Sequence, residues 1–539
     1  MTQEAAVSAP AATPEPRDDR MPPGIPFIVA NEFAERFCYY GINSILTVYM
    51  TQFLRLGDAD ATTFHSLFKS GAYFFPLVGA VVSDVLWGKF RTIMTFSLVY
   101  ATGCSVVALV PGTTGLLLGL FMVAFGTGGI KPCVSTNVGD QFTSKNQHLI
   151  ERAFSYFYLA INAGSSISIF FCPVLLKNYG RMVAFGTPAV MMFVATALFW
   201  AGRRKFAVVP PAGKAWLRDV LSKEGLKTIG SLCIVYLFVA VFWALWDQSN
   251  GQTWTLQAES SLMDKNLGFG LVLLPAQIQV VNGLFILALV PVFTFGVYPL
   301  MGKFFKVTPL RKIGMGLFTV AGSFLIVSSI EARIQAGQTV SLWWQILAYV
   351  VLTASEILVS ITALEFSYKQ APLRMKSFIM ALFLFSTSVG NLMTAGVNHA
   401  MVRPLHATSA EVGAETWVRL DDASGIVAGQ KIDFSGKTGV TVVKADGKEQ
   451  SLSGTFLVAT PDVEGKRVKL MDVVDRKPVV TKGSFDASQA EVATYKLVGP
   501  QYFNFFALVM ACVGLLFIFV AAFYKERTHL RDESQDPKA

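Results

Sequence analysis

Charged residues are scarce in this chain of 539 residues. Asp, Glu, Lys and Arg together make up 15% of it, whereas 53% of the residues are hydrophobic. A soluble domain has nearer to about a quarter of its residues charged. Apolar runs of roughly 20 residues, the length that crosses a bilayer, recur from one end of the chain to the other. These proportions exclude a single soluble core and predict an all-α protein that crosses a membrane many times.

Other signals are missing as well. The six cysteines all lie in apolar runs and none has a metal-like spacing, so we expect buried small side chains rather than a metal site. No nucleotide-binding motif and no set of nucleophile, base and orienting residue is visible. The sequence therefore predicts neither an enzyme nor ATP-driven transport, and it gives no reason to expect a cofactor.

The positive charge of the chain is distributed in a way that indicates topology. The formal net charge is +9, which could suggest a nucleic-acid partner. Lys and Arg gather instead in alternate loops between apolar runs, the pattern of cytoplasmic loops in membrane proteins. We therefore expect no nucleic acid, and a multi-pass protein of the cell membrane, bacterial inner membrane by preference, with both termini in the cytoplasm. The basic residues concerned are Lys89, Arg91, Arg203 to Lys205, Lys303, Lys306, Arg311, Lys312, Lys525 and Arg527.

Hydropathy predicts twelve membrane spans in two six-helix bundles. The spans lie near 27–52, 63–87, 92–110, 115–136, 153–176, 183–202, 227–247, 273–300, 312–331, 342–367, 377–402 and 500–524. The predicted order is a disordered cytoplasmic leader (1–25), the first bundle (26–202), a cytoplasmic linker (203–226), helices 7 to 11 of the second bundle (227–403), an insert (404–498), helix 12 (499–525) and a cytoplasmic tail (526–539). Such paired bundles bind substrate near the midplane between them.

The insert between helices 11 and 12 differs from the rest of the chain. Residues 404–498 are polar, with alternating patterns such as VTVVKADGKEQSLSGTFLVA and turn signals at SGKTG, ADGKE and VEGKR. Alternation between turn signals predicts strands. We expect a small β-rich module on the extracytoplasmic face. It could be a solubilising, protease-resistant cap or a module that binds a partner.

The first span contains the densest group of ionisable residues. Glu32, Glu35, Arg36 and Tyr40 lie at helical offsets of zero, three, four and eight, so they share one face. One guanidinium cannot neutralise two carboxylates. The surplus carboxylate can take up and release a proton as its surroundings change. The alternative is a static ion cluster between helices.

Three further ionisable residues lie within or near apolar spans, where such residues are functional by default. Lys131, just before a proline, either extends to the cytoplasmic interface or faces a water-filled cavity. Asp247 lies one turn after Trp243 and could be a charge at the outer helix end. Glu356 lies well inside an apolar run, where it could instead make a structural hydrogen bond to a neighbouring helix.

These residues together resemble the proton-dependent oligopeptide transporter family of the major facilitator superfamily. The resemblance covers all twelve predicted spans but neither the leader nor the insert. It is carried by Glu32, Glu35, Arg36, Phe37, Tyr39, Tyr40 and Gly41 of the ExxERFxYYG motif, by FYLAINAGSS from Phe157 to Ser166, by LEFSYKQAP from Leu364 to Pro372, and by Gly79, Asp84, Gly88, Lys89 and Arg91 of the superfamily loop motif.

The resemblance implies the major-facilitator fold and a role for each group. Glu32 and Glu35 would take part in proton coupling. Arg36 and Lys131 would bind the peptide's carboxylate, and Glu356 its α-ammonium group. The remaining implied positions are Tyr40, Tyr73, Asn162, Trp243 and Asn282 in the substrate pocket and Asp247 in the outer gate.

The chain departs from the family pattern at the gate. Many bacterial relatives have an arginine that pairs with the seventh-span carboxylate, and Asn43 stands at that position here. His65 lies one residue before the place of a histidine in mammalian relatives, and Lys69 follows one turn later. We hypothesise that His65, or failing that Lys69, pairs with Asp247, since a histidine titrates near physiological pH. The alternative is a hydrated histidine at the helix end.

A second departure lies in the eleventh span. There, Phe383 takes a pocket position often filled by tryptophan.

The function these features predict is proton-coupled import of di- and tripeptides by alternating access, by a monomer in the lipid bilayer. A nearby alternative is transport of another small anion or zwitterion, such as nitrate or an amino acid. A plain anion would leave Glu356 without a role. A membrane sensor or scaffold is the alternative from another class, and titratable residues in several spans argue against it.

Overall fold

The structure, a computed structural model, describes residues 19–143, 145–146, 149–207, 210–211, 218, 220–268, 270–371, 376–443 and 449–524. Most of the predicted leader, part of the linker (208–209, 212–217 and 219) and the predicted tail, with Lys525 and Arg527, lie outside these residues.

The apolar runs form long helices in both halves of the chain. Polar residues set some of their starts. The Thr308 hydroxyl accepts a hydrogen bond from the Arg311 amide (3.3 Å), and Pro309 occupies the first turn, an arrangement typical of helix N-termini. The helices are α1 (Ile25–Val48), α2 (Asp58–Val81), α3 (Lys89–Leu109), α4 (Gly112–Asp140), α5 (Ile150–Ala201), α6 (Lys223–Ser249), α7 (Thr253–Glu259), α8 (Val280–Val292), α9 (Tyr298–Gly302), α10 (Pro309–Gln335), α11 (Trp343–Glu356), α12 (Thr362–Gln370), α13 (Lys376–Met401) and α14 (Pro500–Phe523).

Wider π-helical turns continue or join several of these helices. They are Tyr49–Phe53 after α1, Val82–Trp87 after α2, Phe293–Val297 between α8 and α9, and Ile357–Ile361 between α11 and α12. Such turns are rare and are frequent at functional sites. The turn after α11 begins directly after Glu356, the carboxylate that the sequence places well inside an apolar run.

Ten helical stretches of the described chain are long and apolar enough to cross a membrane. The chain is therefore a multi-pass membrane protein. One of the ten, Arg152–Arg204, runs for 53 residues and breaks at Gly180, whose φ of +75° lies in the left-handed region that favours glycine. Helix α1 is not among the ten and contains Glu32, Glu35 and Arg36.

Strands fill the region between α13 and α14. They are β3 (Val402–Leu405), β4 (Ala407–Glu411), β5 (Trp417–Leu420), β6 (Lys431–Gly436), β7 (Val440–Val443), β8 (Glu449–Ser451), β9 (Gly454–Asp462), β10 (Arg467–Asp472), β11 (Thr481–Gly483) and β12 (Ala490–Tyr495). A short parallel pair, β1 (Met263–Asp264) and β2 (Val340–Ser341), lies elsewhere. The larger sheet has seven strands in the order β3-β12-β6-β9-β10-β5-β4, and the smaller has the order β11-β7-β8.

Buried apolar side chains separate into distinct clusters that define three parts. The N-terminal half (residues 25–206) and the C-terminal half (residues 220–401 and 500–524) each have their own cluster. The insert (residues 402–498) has a third, around Phe434 and Val458. The insert joins the bundle at Met401 and Pro500, and we call the helix ends on that side the insert end.

Hydrogen bonds between the two halves concentrate toward the insert end. Within the described residues they include Asn43 with Asn250, Thr47 with Gly251, Thr62 with Asn398, Ser66 with Gln252, Lys69 with Asp247, and Ser70 with Ser388. The two halves are thus joined on the side where the insert lies.

Candidate functional site

Arg36 lies between two buried carboxylates on α1. Its Nε is 2.6 Å from Glu32 Oε1 and 3.0 Å from Glu35 Oε2. The other Glu35 oxygen accepts a hydrogen bond from the Thr127 hydroxyl of α4 (2.8 Å). Glu32 is 2% exposed and Glu35 is fully buried. One guanidinium therefore lies against two carboxylates, as the helical spacing predicts. The structure adds that the two carboxylates are shielded from water.

Lys131 faces the same half's interior rather than an interface. Its Nζ lies 4.1 Å from the ring centroids of both Tyr39 and Tyr73, within the range of cation–π contacts. Among the described residues, no hydrogen-bond acceptor contacts this buried nitrogen. Of the two readings left open by the sequence, the geometry favours a buried cation over one that extends to the interface. Such a cation can receive a carboxylate.

Glu356 lies in the C-terminal half, at the end of α11. Its Oε2 accepts hydrogen bonds from Trp246 Nε1 (3.0 Å) and Asn282 Nδ2 (2.9 Å). Asn282 also donates to the Thr353 hydroxyl (3.0 Å). These donors come from α6 and α8, so three helix segments of one half fix a single carboxylate. Its other oxygen makes none of these bonds.

Sequence reasoning singled out Trp243 and missed Trp246. The indole nitrogen of Trp243 is buried without a described hydrogen-bond partner, and its ring packs edge-on against that of Trp246 at 5.3 Å. Trp246 lies three residues after Trp243 and one before Asp247, so the helical period could have revealed it.

Lys69 and Asp247 form the contact that the sequence left open. Lys69 Nζ lies 2.7 Å from Asp247 Oδ1, and both residues are almost fully buried, at 1% and 2% exposed. Asn391 of α13 donates to the second oxygen, Asp247 Oδ2 (2.6 Å). Lys69 also donates to the Asn250 carbonyl (3.0 Å). Lys69, and not His65, is therefore the cation that pairs with Asp247.

His65 does not pair with Asp247, contrary to our first hypothesis. Its Nε2 lies 2.8 Å from Asn43 Oδ1 and its Nδ1 lies 2.7 Å from the Thr47 hydroxyl. His65 is fully buried, which also overturns the alternative of a hydrated histidine. The His65 side chain, which is shorter than that of Lys69 and lies one turn before it, packs between α1 and α2. It therefore supports Asn43 and Thr47, and these two residues contact the loop after α6.

That loop needs glycine at position 251. Gly251 has φ +84°, and a Cβ there would lie 2.8 Å from the Asn43 carbonyl oxygen and 3.0 Å from His65 Cε1. The Thr47 hydroxyl donates to the Gly251 carbonyl (2.5 Å). The close approach of the two halves at this point therefore depends on the missing side chain.

The remaining pocket positions differ in what they contact. Tyr40 is half-buried and packs edge-on against Tyr39, with ring centroids 5.3 Å apart. Asn162 donates to the Tyr158 carbonyl of its own helix (2.8 Å). Phe383 is buried in the C-terminal cluster, where its ring lies 6.0 Å from that of Tyr236. Phe383 is thus a core side chain here.

A large cavity in the described part of the chain lies away from these residues. It has a volume of about 770 Å³ and lies between the insert and the helix ends at the insert end. Its lining includes Arg55, Asp58, Glu259, Glu331 and Lys431. The chemistry-bearing residues in the bundle and this outer cavity are separate features.

Comparison with known proteins identifies the class of protein. The family model described as "PTR2: POT family" matches residues 90–223 and 214–418. This multi-pass membrane protein belongs to the POT family, which comprises peptide transporters and not enzymes.

Named relatives match part of the chain. "Peptide transporter family 1" of Drosophila melanogaster is 36% identical over 374 residues, which is 60% of this chain and 50% of that protein. "Solute carrier family 15 member 2" of Homo sapiens is 36% identical over 363 residues, 58% of this chain and 49% of that protein. The chain thus spans about half the length of these curated relatives.

Solved structures of the family share the fold. The POT family transporter PepTSo is 34% identical with a TM-score of 0.64, and the match covers 71% of this chain and 90% of that one. A structure described as an auto inhibited POT family peptide transporter is 25% identical with a TM-score of 0.70, and the match covers 95% of this chain and 99% of that one.

Proposed function

We propose that this chain is a proton-coupled symporter that imports di- and tripeptides by alternating access. The observation that carries the proposal is a pair of opposite charges in different halves. Lys131 in the N-terminal half is a buried cation with no described hydrogen-bond partner. Glu356 in the C-terminal half is a carboxylate held by Trp246 and Asn282. A short zwitterionic peptide has a complementary charge at each end.

The binding roles follow from these charges. Arg36 and Lys131 bind the peptide's carboxylate, and Glu356 binds its ammonium group. Tyr40, Tyr73 and Trp243 with Asn162 and Asn282 supply aromatic walls and a few fixed polar groups, which accept many different side chains. Peptide length is limited because both charges must be reached by one ligand.

Proton coupling resides in the α1 group. Arg36 contacts both Glu32 and Glu35, and a buried carboxylate without its own counter-charge is costly. A proton on one of them removes the surplus negative charge, and a peptide carboxylate bound at Arg36 makes that proton more favourable. Proton and peptide then each raise the affinity for the other, as reciprocal linkage requires.

The proposed topology has twelve spans in two six-helix bundles. Helix α1 is one span in spite of its three ionisable residues, and α5 supplies two spans that meet at Gly180. We propose that both termini lie in the cytoplasm, that the insert is extracytoplasmic, and that a monomer acts in the bacterial inner membrane. With this orientation, the contacts at the insert end close the outer side, and Lys69 with Asp247 forms the outer gate.

The other candidate functions make different use of these residues. A nitrate or amino-acid transporter would keep the buried cations, but nitrate gives Glu356 and its two hydrogen-bond donors no partner. A sensor or scaffold would not need titratable groups within α1, α4, α6 and α11. The names of the curated relatives, which include peptide transporters, favour peptides.

Uptake into proteoliposomes tests the proposal. Labelled dialanine should accumulate under an inward proton gradient and stop accumulating when the gradient is collapsed. Glu356→Gln and Glu32→Gln should abolish accumulation, whereas Glu224→Gln, an exposed residue in the first turn of α6, should not. Wild-type protein that is folded and takes up no dialanine would overturn the proposal, and nitrate and amino acids would then be assayed.

A further inference from the structure

The N-terminus of α2 takes its hydrogen-bond acceptors from the insert. The first amides of a helix have no partner within it, and the N-cap residue Gly57 has no side chain to supply one. The Asp58 amide donates to the Thr455 hydroxyl (2.9 Å), and the Ala59 amide donates to the Tyr495 hydroxyl (3.0 Å). A helix of the N-terminal half is therefore capped by side chains about 400 residues later in the chain.

Charged and polar groups surround this cap. Lys431 of β6 forms an ion pair with Asp58. The Tyr495 hydroxyl donates to Asp433, and Thr455 Oγ1 lies 2.7 Å from Asp433 Oδ1. These residues belong to three neighbouring strands, β6, β9 and β12, so the sheet presents them together as one surface. We call Asp58, Lys431, Asp433, Thr455 and Tyr495 the cap cluster.

The fit at the cap cluster is tight at Gly57. This residue has φ −62° and ψ 154°, an extended conformation open to any residue. A Cβ at this position would nevertheless lie 2.2 Å from Asp433 Oδ2 and 2.6 Å from Asp433 Cγ. A larger residue at this position would therefore push the Asp433 side chain away from its place in the cap cluster. Nearby, Arg55 Nη2 donates to Gln450 Oε1 of the insert (2.7 Å).

The insert is fastened to the C-terminal half as well. It is continuous with α13 and α14, and the Ser261 amide after α7 donates to the Val474 carbonyl (2.9 Å). Beneath it, Asn398 of α13 donates to the Thr62 hydroxyl of α2 (3.1 Å). The insert therefore spans from one half to the other across the cavity of about 770 Å³ at the insert end.

We propose that the insert is a strap that holds the insert ends of the two halves together, and that it must detach from the N-terminus of α2 before the bundle opens on that side. It acts in series with the ion pair of Lys69 and Asp247, which lies deeper. The strap rests on the proposed function insofar as opening at the insert end is a step of alternating access. Peptide from that side can reach the gate only after the strap has released.

Hydrogen exchange of the full-length protein tests the strap without any substrate. Lys431→Gln and Gly57→Ala should raise the exchange rate of the Asp58 and Ala59 amides by about tenfold or more, since those amides have no helical acceptor. Exchange at the amide of Asn250, in the loop after α6 (the gate loop), should rise as well. Amides in β9 and β10 should stay protected, which shows that the insert remains folded.

Matched controls lie within the insert. Lys482 pairs with Glu449 inside the insert, so Lys482→Gln removes a lysine without touching the cap cluster. A Cβ at Gly413 meets nothing within 4 Å, so Gly413→Ala adds the same methyl group in open space. Neither should change exchange at Asp58, Ala59 or Asn250. Faster exchange at Asp58 and Ala59 with no change at Asn250 would overturn the strap.

A reversible cross-link tests whether release is needed for turnover. A Cβ at Gly57 would lie 3.1 Å from Asp433 Cβ, which is shorter than the roughly 3.5–4.5 Å found in disulfides, so a disulfide here requires the two backbones to move slightly apart. Oxidised Gly57→Cys/Asp433→Cys protein should lose dialanine uptake by about tenfold or more and recover it with reductant, while dialanine binding in detergent persists.

The two proposals fail in different ways. Fully cross-linked protein whose uptake equals that of its reduced form would overturn the strap and leave the proposed function intact. Reduced and wild-type protein that neither bind nor transport dialanine would overturn the proposed function. Hydrogen exchange would still decide whether detachment of the insert opens the gate loop.

Discussion

Lys69 Nζ lies 2.7 Å from Asp247 Oδ1 in a buried ion pair that joins α2 of one half to α6 of the other. Asn391 holds the second carboxylate oxygen at 2.6 Å. Neither member of the pair can separate into an apolar interior without great cost, so the pair favours a closed contact until water or another charge replaces it. Asp247 thus pairs with a lysine, where the sequence offered a histidine or a lysine.

Removing one member of this pair should destabilise the described conformation strongly. We expect Lys69→Met or Asp247→Asn to cost about 3–5 kcal/mol, because each leaves the other group buried without its partner. The double variant should be more stable than either single one. Thermal unfolding in detergent measures this, and Lys227→Gln, an exposed lysine of α6, is the control. Additive losses in the double variant would contradict the pairing.

Trp246 and Trp243 provide a matched pair of variants. Trp246→Phe removes the indole donor to Glu356 but keeps an aromatic ring, and a lost hydrogen bond to a charged group costs about 1.5–3 kcal/mol. Trp243→Phe removes a nitrogen that has no described partner. We therefore expect weaker dialanine binding in the first variant only, measured by calorimetry. Equal losses in both variants would show that ring size and not the hydrogen bond matters.

His65 should support the gate rather than supply its cation. It contacts Asn43 and Thr47, which in turn contact the loop at Asn250 and Gly251. We expect His65→Ala to lower dialanine uptake less than Lys69→Ala, because the ion pair with Asp247 remains. Normal uptake by both variants under a proton gradient would rule out this gate altogether.

The insert should attach to the N-terminus of α2 more tightly at low pH. Burial, and then the neighbouring Asp58, raise the pKa of Asp433 to about 7, against an ordinary value of about 4 once the insert is released and hydrated. At pH values between about 4 and about 7, Asp433 therefore takes up a proton when the insert attaches. Attachment weakens as the pH rises through this range. Burial also raises the pKa of Tyr495 well above its ordinary value, so Tyr495 stays neutral throughout.

Exchange at the Asp58 and Ala59 amides, corrected for the intrinsic effect of pH, measures this dependence. In wild type the opening equilibrium should increase by at most about tenfold per pH unit over that window and level off above it. Asp433→Asn should remove the dependence. A slope that survives in Asp433→Asn would assign the titration to another group of the cluster.

The sequence predicted much of the bundle but could not order its contacts. Apolar runs predicted the helices, and the offsets of Glu32, Glu35 and Arg36 predicted their ion group, because both depend on local periodicity. The partner of Asp247 depends on how α2 packs against α6, and a difference of one turn separates His65 from Lys69. Local spacing holds no information about that packing.

The insert shows the same limit of prediction from local sequence patterns. Alternating residues and turn signals predicted its strands. Its contact with Asp58 and Gly57 links positions that are far apart in the chain, and nothing in the local pattern of either segment indicates it. The absence of a capping side chain before α2 was visible in the sequence, but several other helices also begin without one, so this feature does not identify the insert as the partner.

Dialanine with one end blocked tests the central claim, that opposite charges in the two halves bind the two ends of one peptide. Calorimetry on purified protein would compare dialanine, its N-acetyl form and its C-terminal amide in wild type, Lys131→Gln and Glu356→Gln. We expect the acetyl group to weaken binding to wild type and to have no further effect in Glu356→Gln. We expect the amide to weaken binding less in Lys131→Gln than in wild type, because only Arg36 is then left to bind the carboxylate. Losses that add independently in every combination would show that neither residue contacts its assigned end, and would contradict the account.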